Sequence, residues 1–270
     1  MAKYKIGEVS RILGIPKDTL HYYERRGIVT PHKDKETGYR YYDAWDLNFL
    51  LDSKWYRSFD FSLIDVVEMI NEDDHNSFLE RCAKHEEELL QKIQDYQQKL
   101  KALSAYRQKA AQIKNELGVL ELTMSPALIF QRHRYEYEFI LTSENLASAQ
   151  KWISLLPYAK HTFTLSGSKN LEESGYFWGF SLAPDDAVHH GIENAPPAEY
   201  IPSQQSIRTV FSAGGRDTFL KSIKSQVFEK ILTSGYKITG NPYGYLLVRL
   251  HVDGVFTRYF EIWVPVEGEK

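Results

Sequence analysis

Two stretches of this 270-residue sequence hold side chains whose types and spacing could do chemistry. The first runs from Pro16 to Arg26. Read as a helix with Leu20 facing inward, its outward set is Lys17, Thr19, His21, Tyr22, Tyr23 and Arg26. Cations, hydroxyls and ring N–H groups of this kind bond phosphates or base edges when a helix enters a major groove. The second stretch is the run RYFEIWVPV over residues 258–266. In a strand, side chains alternate between faces. Phe260, Ile262 and Val264 then form an apolar face, and Tyr259, Glu261 and Trp263 the opposite one. A carboxylate between aromatic rings suits a lipophilic cation: the rings cover its apolar surface and attract its charge. Tyr176, Trp178, Tyr243 and Tyr245 are expected to line the same cup. The residues alone equally allow an exposed Glu261 among ordinary sheet aromatics, because aromatic residues favour strands.

The elements needed to position the first set are legible nearby. Ile6, Val9, Ile12 and Leu13 recur at helical spacing, Gly14 allows a tight turn, and Pro16 opens a second helix that Gly27 ends. The run HKDKETGYRYY over 32–42 follows. It reads as a short hairpin with Thr37–Gly38 at its turn and Lys33, Lys35, Tyr39, Arg40, Tyr41 and Tyr42 on its arms. Such a wing beside a recognition helix can hold the DNA backbone. The formal net charge of -3 argues against nucleic acid, but it hides a gradient. Residues 1–42 hold nine Lys/Arg against five Asp/Glu, and residues 43–75 hold two against nine. A phosphate-facing segment needs only local positive charge.

Further along, one long helix is predicted over 76–118, with Gly118 near its end. Cys82, Leu89, Tyr96, Leu103, Ala110 and Leu117 recur every seven residues, and Leu79, Ile93 and Leu100 fill the alternate position. Spacings of four and three alternate from Leu89 through Ile93, Tyr96 and Leu100 to Leu103, a dimer seam. The alternative is an amphipathic helix packed on its own chain. Residues 121–270 switch to strand-like runs at 127–134, 176–182, 206–211, 245–252 and 256–266, with helices at 144–154 and 218–234. That order predicts an antiparallel sheet with helices on one face. The Pro-rich stretch 185–202 reads as a loop. A lone cysteine rules out a disulfide or a thiolate cluster within one chain, so no metal or cofactor is expected, and Cys82 reads as a core or seam residue. No signal peptide or membrane-spanning run is evident, so a cytoplasmic protein without a membrane partner is expected.

The N-terminal residues resemble the winged helix-turn-helix of the MerR family of regulators. The resemblance rests on Leu20–Glu24, Gly27–Pro31 and Gly38–Tyr42, and extends through Phe61 to about residue 70. His21 stands where the family usually has Arg, and Asp60 where Gly is usual. The resemblance implies an antiparallel coiled-coil helix pair joining two DNA-binding domains, and hence a homodimer on a palindromic site. Residues 121–266 resemble GyrI-like effector-binding domains, chiefly through Glu261–Val266 and the helix at 218–234 followed by Gly235. That resemblance implies a sheet-face glutamate, here Glu261, that binds organic and often cationic compounds.

The expected architecture is therefore an α+β multidomain chain. Residues 1–72 form a winged helix-turn-helix, 76–118 a coiled-coil helix, and 121–270 a ligand-binding sheet domain. The expected function is a ligand-responsive activator that binds promoter DNA, distorts it for RNA polymerase and responds to a small organic cation. The alternatives are a ligand-independent repressor and a GyrI-like hydrolase fused to a DNA-binding domain. An enzyme is not expected, because no second acid or nucleophile–His–acid set accompanies Glu261.

Overall fold

The computed structural model describes residues 3–166, 175–192, 194, 196–215, 217–252 and 254–268. The chain divides into two compact units, 1–96 and 97–270. The first begins with β1 (Tyr4–Lys5), α1 (Ile6–Leu13) and α2 (Lys17–Arg25). Gly14 takes a left-handed φ of 62° between the two helices, a conformation that costs glycine nothing. Then come β2 (His32–Lys33), β3 (Arg40–Tyr42), α3 (Ala44–Ser58) and α4 (Leu63–Asn71). The three short strands form an antiparallel sheet in the order β1-β3-β2. Asp43 caps α3 by accepting from the backbone N–H of Trp45 and Asp46, and Ser62 caps α4 through Asp65. Val9, Leu13, Leu20, Tyr23, Tyr42, Leu50, Phe61 and Val66 make the core between these elements, and Cys82 packs against its edge.

Asp60, in the turn before α4, has a φ of 70°. A side chain in the left-handed region costs about 1 kcal/mol, less for Asp than for most residues. Asp60→Gly should therefore stabilise this unit slightly, by about 0.5 kcal/mol after the added chain entropy of glycine, read as a higher urea midpoint. A loss of stability in urea titration would show that the Asp60 side chain contributes a contact of its own.

The helix α5 (His75–Glu116) belongs to both units. Gly118 follows its end with a φ of 72° and donates its N–H to Val210 O at 2.8 Å.

The second unit contains β4 (Glu121–Met124), β5 (Leu128–Tyr135), β6 (Glu138–Phe139), α6 (Ser143–Ser154), β7 (Lys160–Leu165), β8 (Tyr176–Leu182), α7 (Pro184–His189) and β9 (Ala198–Ile201). It continues with β10 (Gln205–Ala213), α8 (Phe219–Ile223), a π-helical turn at Lys224–Phe228, α9 (Glu229–Thr233), β11 (Lys237–Ile238), β12 (Tyr243–Val252) and β13 (Val255–Glu267). The ten strands form one antiparallel sheet, with a main path of β4-β10-β13-β12-β7-β8-β5-β6. The stretch 185–202, expected as a loop, instead carries most of α7 and all of β9, which pairs with β5; positions 193 and 195 in it lie outside the described residues. Proline occupies the first turn of α7 and the residues just before β9, where it breaks nothing. The helix expected over 218–234 is interrupted by the π turn.

Both larger helical segments pack on one face of the sheet. The α8–α9 segment supplies Phe219, Ile223, Val227, Phe228 and Ile231 to a core with Phe211, Phe260, Ile262 and Val264. Trp152 of α6 packs with Ile129 and Leu182. On the same face His133 and His161 stack 5.9 Å apart, with Phe180 5.1 Å from one and Trp178 4.5 Å from the other. Burial pulls their imidazoles down from 6.5, to about 4 for His133 and about 3 for His161. A group with a depressed folded value loses stability as pH falls below its unfolded value. Between pH 6.5 and about 4, each histidine should therefore cost at most about 1.4 kcal/mol per pH unit. His161→Gln should flatten that limb of a pH-dependent denaturation series; an unchanged slope would place the acid sensitivity elsewhere.

Candidate nucleic-acid interface and effector site

The expected DNA-facing residues fall on adjacent elements of the first unit. Lys17, Thr19, His21, Tyr22 and Arg26 lie on or at the end of α2, Lys33 on β2, Arg40 and Tyr41 on β3, and Tyr39 just before it. Lys17, Arg26, Lys33, Tyr39 and Arg40 are exposed; Thr19, His21, Tyr22 and Tyr41 are half-buried. The Arg26 guanidinium lies 5.5 Å over the Tyr22 ring, and the Lys5 ammonium 5.1 Å over Tyr39. Tyr23, expected in the outward set, is a correction. It lies three residues after Leu20, on the same helix face, and is buried in the core. Burial pushes its phenol up, while a hydrogen bond with Ser53 opposes the shift.

The organising residue is one the outward set omitted, Glu24. Its carboxylate accepts from the buried Tyr42 hydroxyl, pairs with Arg40 Nε at 2.8 Å and meets His21 Nδ1 at 3.3 Å. One carboxylate thus ties the end of α2 to β3. A signal for it existed: Glu24 closes the Leu20–Glu24 run and Tyr42 closes the Gly38–Tyr42 run.

On the sheet face away from α8 and α9, strand register builds the second site. Tyr243 pairs with Trp263 and Tyr245 with Glu261, so all four share that face. Glu261 is only 6% exposed, and Tyr243, Tyr245 and Trp263 are buried with Leu128. The Tyr243 and Trp263 rings stack at 5.7 Å, and Tyr245 meets Trp263 edge-on at 5.2 Å. Burial pushes the Tyr243 phenol up to about 12 and raises that of Tyr245. Tyr259 shares the face by alternation and is half-buried.

Tyr176 and Trp178 are corrections. Trp178 pairs with Phe163, and Phe163 with Gly244, which pairs with Ile262. That places both residues on the helix-covered face, in the core with Phe219 and Phe260. Their own alternation was readable, but the face depends on the register of three intervening pairings.

The Glu261 carboxylate already has cationic partners. Arg208 Nε, from β10, lies 2.5 Å from Oε1, and Lys109 Nζ, from α5, lies 2.7 Å from the same oxygen. Glu116 pairs with both cations, and Arg208 also reaches Glu121 at 2.9 Å. The neighbouring carboxylates raise the Arg208 guanidinium's value against the effect of burial. Lys160 places its ammonium 4.4 Å over the Tyr245 ring, and burial lowers its value. The site is therefore a closed, charge-balanced cluster, with Ile113 of α5 buried in the same helix segment. Lys109, Glu116, Lys160 and Arg208 carry no local motif and were missed. A separate cleft of about 580 Å³ lies in the first unit, lined by Thr30, His32, Tyr41, Trp45 and Phe49 among others, far in sequence from Glu261. Among the described residues no group of three or more His, Cys, Asp or Glu is placed to hold a metal, and no helix is long and apolar enough to cross a membrane.

The helix pair α1–α2 with its small sheet and its exposed cations defines a helix-turn-helix protein of the DNA-binding class. Residues 4–73 match the family model described as MerR HTH family regulatory protein. Over 101 residues the chain is 29% identical to the mercuric resistance operon regulatory protein of Bacillus cereus, covering 37% of this chain and 75% of that one. It is 31% identical over 91 residues to the HTH-type transcriptional activator mta of Bacillus subtilis, covering 33% of this chain and 34% of that one. A cryo-EM structure of the EcmrR–DNA complex in EcmrR-RPo aligns over 98% of this chain and 100% of that one, at 18% identity and a TM-score of 0.36. Residues 4–73 are thus similar to the helix-turn-helix of MerR-family regulatory proteins.

Proposed function

We propose that this regulator is a ligand-responsive activator in which an organic, lipophilic cation competes for Glu261. Residues 1–72 read promoter DNA, with α2 in the major groove and the β2–β3 hairpin as a wing. Residues 76–118 pair two copies as an antiparallel coiled coil, through Leu89, Ile93, Tyr96, Leu100 and Leu103. The exposure of Ile93, Tyr96, Leu100 and Leu103, each above half in the single chain, supports that pairing. A two-fold dimer reads a palindromic site. Residues 121–270 act as a GyrI-like effector domain, with Glu261, Tyr243, Tyr245, Trp263 and Tyr259 around the ligand. Ligand binding lets the dimer twist and bend the promoter so that RNA polymerase engages it, the DNA deformation being offset by backbone contacts. The activator name of the mta relative favours this direction.

The observation that carries this reading is the Lys109–Glu261 pair. The ammonium that neutralises the buried carboxylate comes from α5, the helix assigned to dimer pairing. A bound cation takes over that charge and frees Lys109, so occupancy changes what holds the end of α5. Abortive transcription on the chain's own promoter, with and without tetraphenylphosphonium, tests it. Added cation should raise open-complex formation. Unchanged initiation with demonstrable cation binding would sink activation, and absence of binding would sink the effector site.

A further inference from the structure

The helix-covered face of the sheet carries a second cluster of charge, separated from Glu261 by strand alternation. Arg249 and Arg258 stand directly opposite each other across the β12–β13 hairpin. Arg134 pairs with Trp178 on the same face, and its guanidinium lies 5.3 Å over that ring and 5.9 Å over Phe139. Like charges directly opposite in a sheet are destabilising. Partly buried cations normally find carboxylates. Here no carboxylate among the described residues pairs with any of the three arginines, although Arg40, Arg81, Arg132 and Arg208 all have such partners.

The cluster is also short of hydrogen bonds. Arg134 Nε, Arg258 Nε and His133 Nδ1 are buried without a partner among the described residues. Arg258 spends one terminal nitrogen on the carbonyls of Gly214 and Gly215, at 3.2 and 3.0 Å. Burial lowers the values of Arg134 and Arg258, and mutual repulsion with Arg249 adds to it. Native proteins leave few buried donors unmet, so each orphan asks for an explanation.

We propose that Arg134, Arg249 and Arg258 form a second ligand site, one that takes a small organic anion bearing a carboxylate or phosphate on an aromatic or apolar body. The planar fork of a guanidinium matches an oxyanion, and two forks suit one with several oxygens. The exposed Phe139 offers ring surface beside it, with the buried Trp178 under the Arg134 guanidinium. The occupant fills the missing acceptors and screens three like charges at once. Binding there is independent of the Glu261 site, and a cation and an anion would occupy opposite faces of one sheet.

Thermal shift and calorimetry on the full chain test this with phenyl phosphate, benzoate and inorganic phosphate, against benzamide as the neutral control. Phenyl phosphate or benzoate should raise the Tm in a concentration-dependent way, benzamide should not, and added salt should weaken the effect. Response to inorganic phosphate as strong as to phenyl phosphate assigns the site to free phosphate, and a response to benzoate alone to carboxylates; either supports an oxyanion site. Arg134→Met should weaken binding about tenfold or more while leaving the unliganded protein as stable or more so, because a repulsion is removed. Exposed Arg249→Gln gives the same reading with little risk to folding. No stabilisation by any of the three anions at about 10 mM overturns the proposal. So does stabilisation that survives Arg134→Met and Arg249→Gln but disappears in Lys160→Gln, which would put the anion on the Glu261 face.

Discussion

Glu261→Gln should sharply weaken binding of a lipophilic cation and destabilise the C-terminal unit together. Gln keeps the shape and one acceptor, but it removes the charge that Lys109 and Arg208 share at 2.7 and 2.5 Å. Breaking a buried pair from one side costs about 3–5 kcal/mol when the remaining charge has nothing else. Arg208 retains Glu116 and Glu121, and Lys109 retains Glu116. The loss should therefore fall to about 2 kcal/mol, read as a lower urea midpoint at unchanged slope. For tetraphenylphosphonium the loss is larger in proportion, since the site's only buried carboxylate is gone and three cations remain beside it. A hundredfold weaker Kd, about 2.7 kcal/mol, is expected.

Lys109→Gln separates that result from simple unfolding, because its effect on the ligand has the opposite sign. With Lys109 absent, an incoming cation has no ammonium to displace. Its side chain is 33% exposed, so the pair contributes about 1 kcal/mol, and affinity should rise about fivefold. A double-mutant cycle completes the argument: with Gln at 261, Lys109→Gln should have little further effect on cation binding. Weaker cation binding in the Lys109 single variant would mean that Lys109 builds the site rather than competes for it.

The contrast between Glu261 and its partners shows what a sequence can carry. Strand alternation separates Phe260, Ile262 and Val264 from Glu261 and Trp263, because it needs only one strand. It does not say which face Trp178 shares, since that requires the β8–β7–β12–β13 register. Tyr23 failed for a related reason: on a nine-residue helix, one wrong choice of inward stripe moves a tyrosine from the core to the groove. Arg208 and Lys109 sit 53 and 152 residues from Glu261, and nothing in either local run marks a charge partner. The short strands β4, β9 and β11 fall outside the expected strands, because they borrow stability from longer neighbours, and so does the central β7. The helix-turn-helix was legible nearly whole because its Gly, Pro and aromatic residues fall within one continuous segment.

Within that segment, Glu24→Ala should be the most damaging single change outside the apolar core. Three partners lose their acceptor at once, and they differ in cost. Tyr42 is fully buried, so its hydroxyl is left unmet at about 1–3 kcal/mol. The same carboxylate and burial hold the Tyr42 phenol well above its ordinary value, so it stays a donor throughout the working range. Arg40 is 41% exposed and regains water, which limits its share to about 1 kcal/mol or less. Together a fall of about 2–3 kcal/mol in the N-terminal unit is expected. Glu24→Gln should cost only about 1 kcal/mol, because the amide oxygen still accepts from Tyr42. Their effects on DNA separate stability from positioning. With Glu24 gone, α2 and β3 lose the carboxylate that joins them, and Arg40 is no longer fixed relative to Lys17 and Arg26. Promoter binding by folded protein should then weaken about tenfold in both variants, while the salt slope, which counts phosphate contacts, stays within about one unit of wild type. A Gln variant that binds as tightly as wild type would show that Arg40 needs no fixed partner, and that Glu24 serves only the Tyr42 hydroxyl.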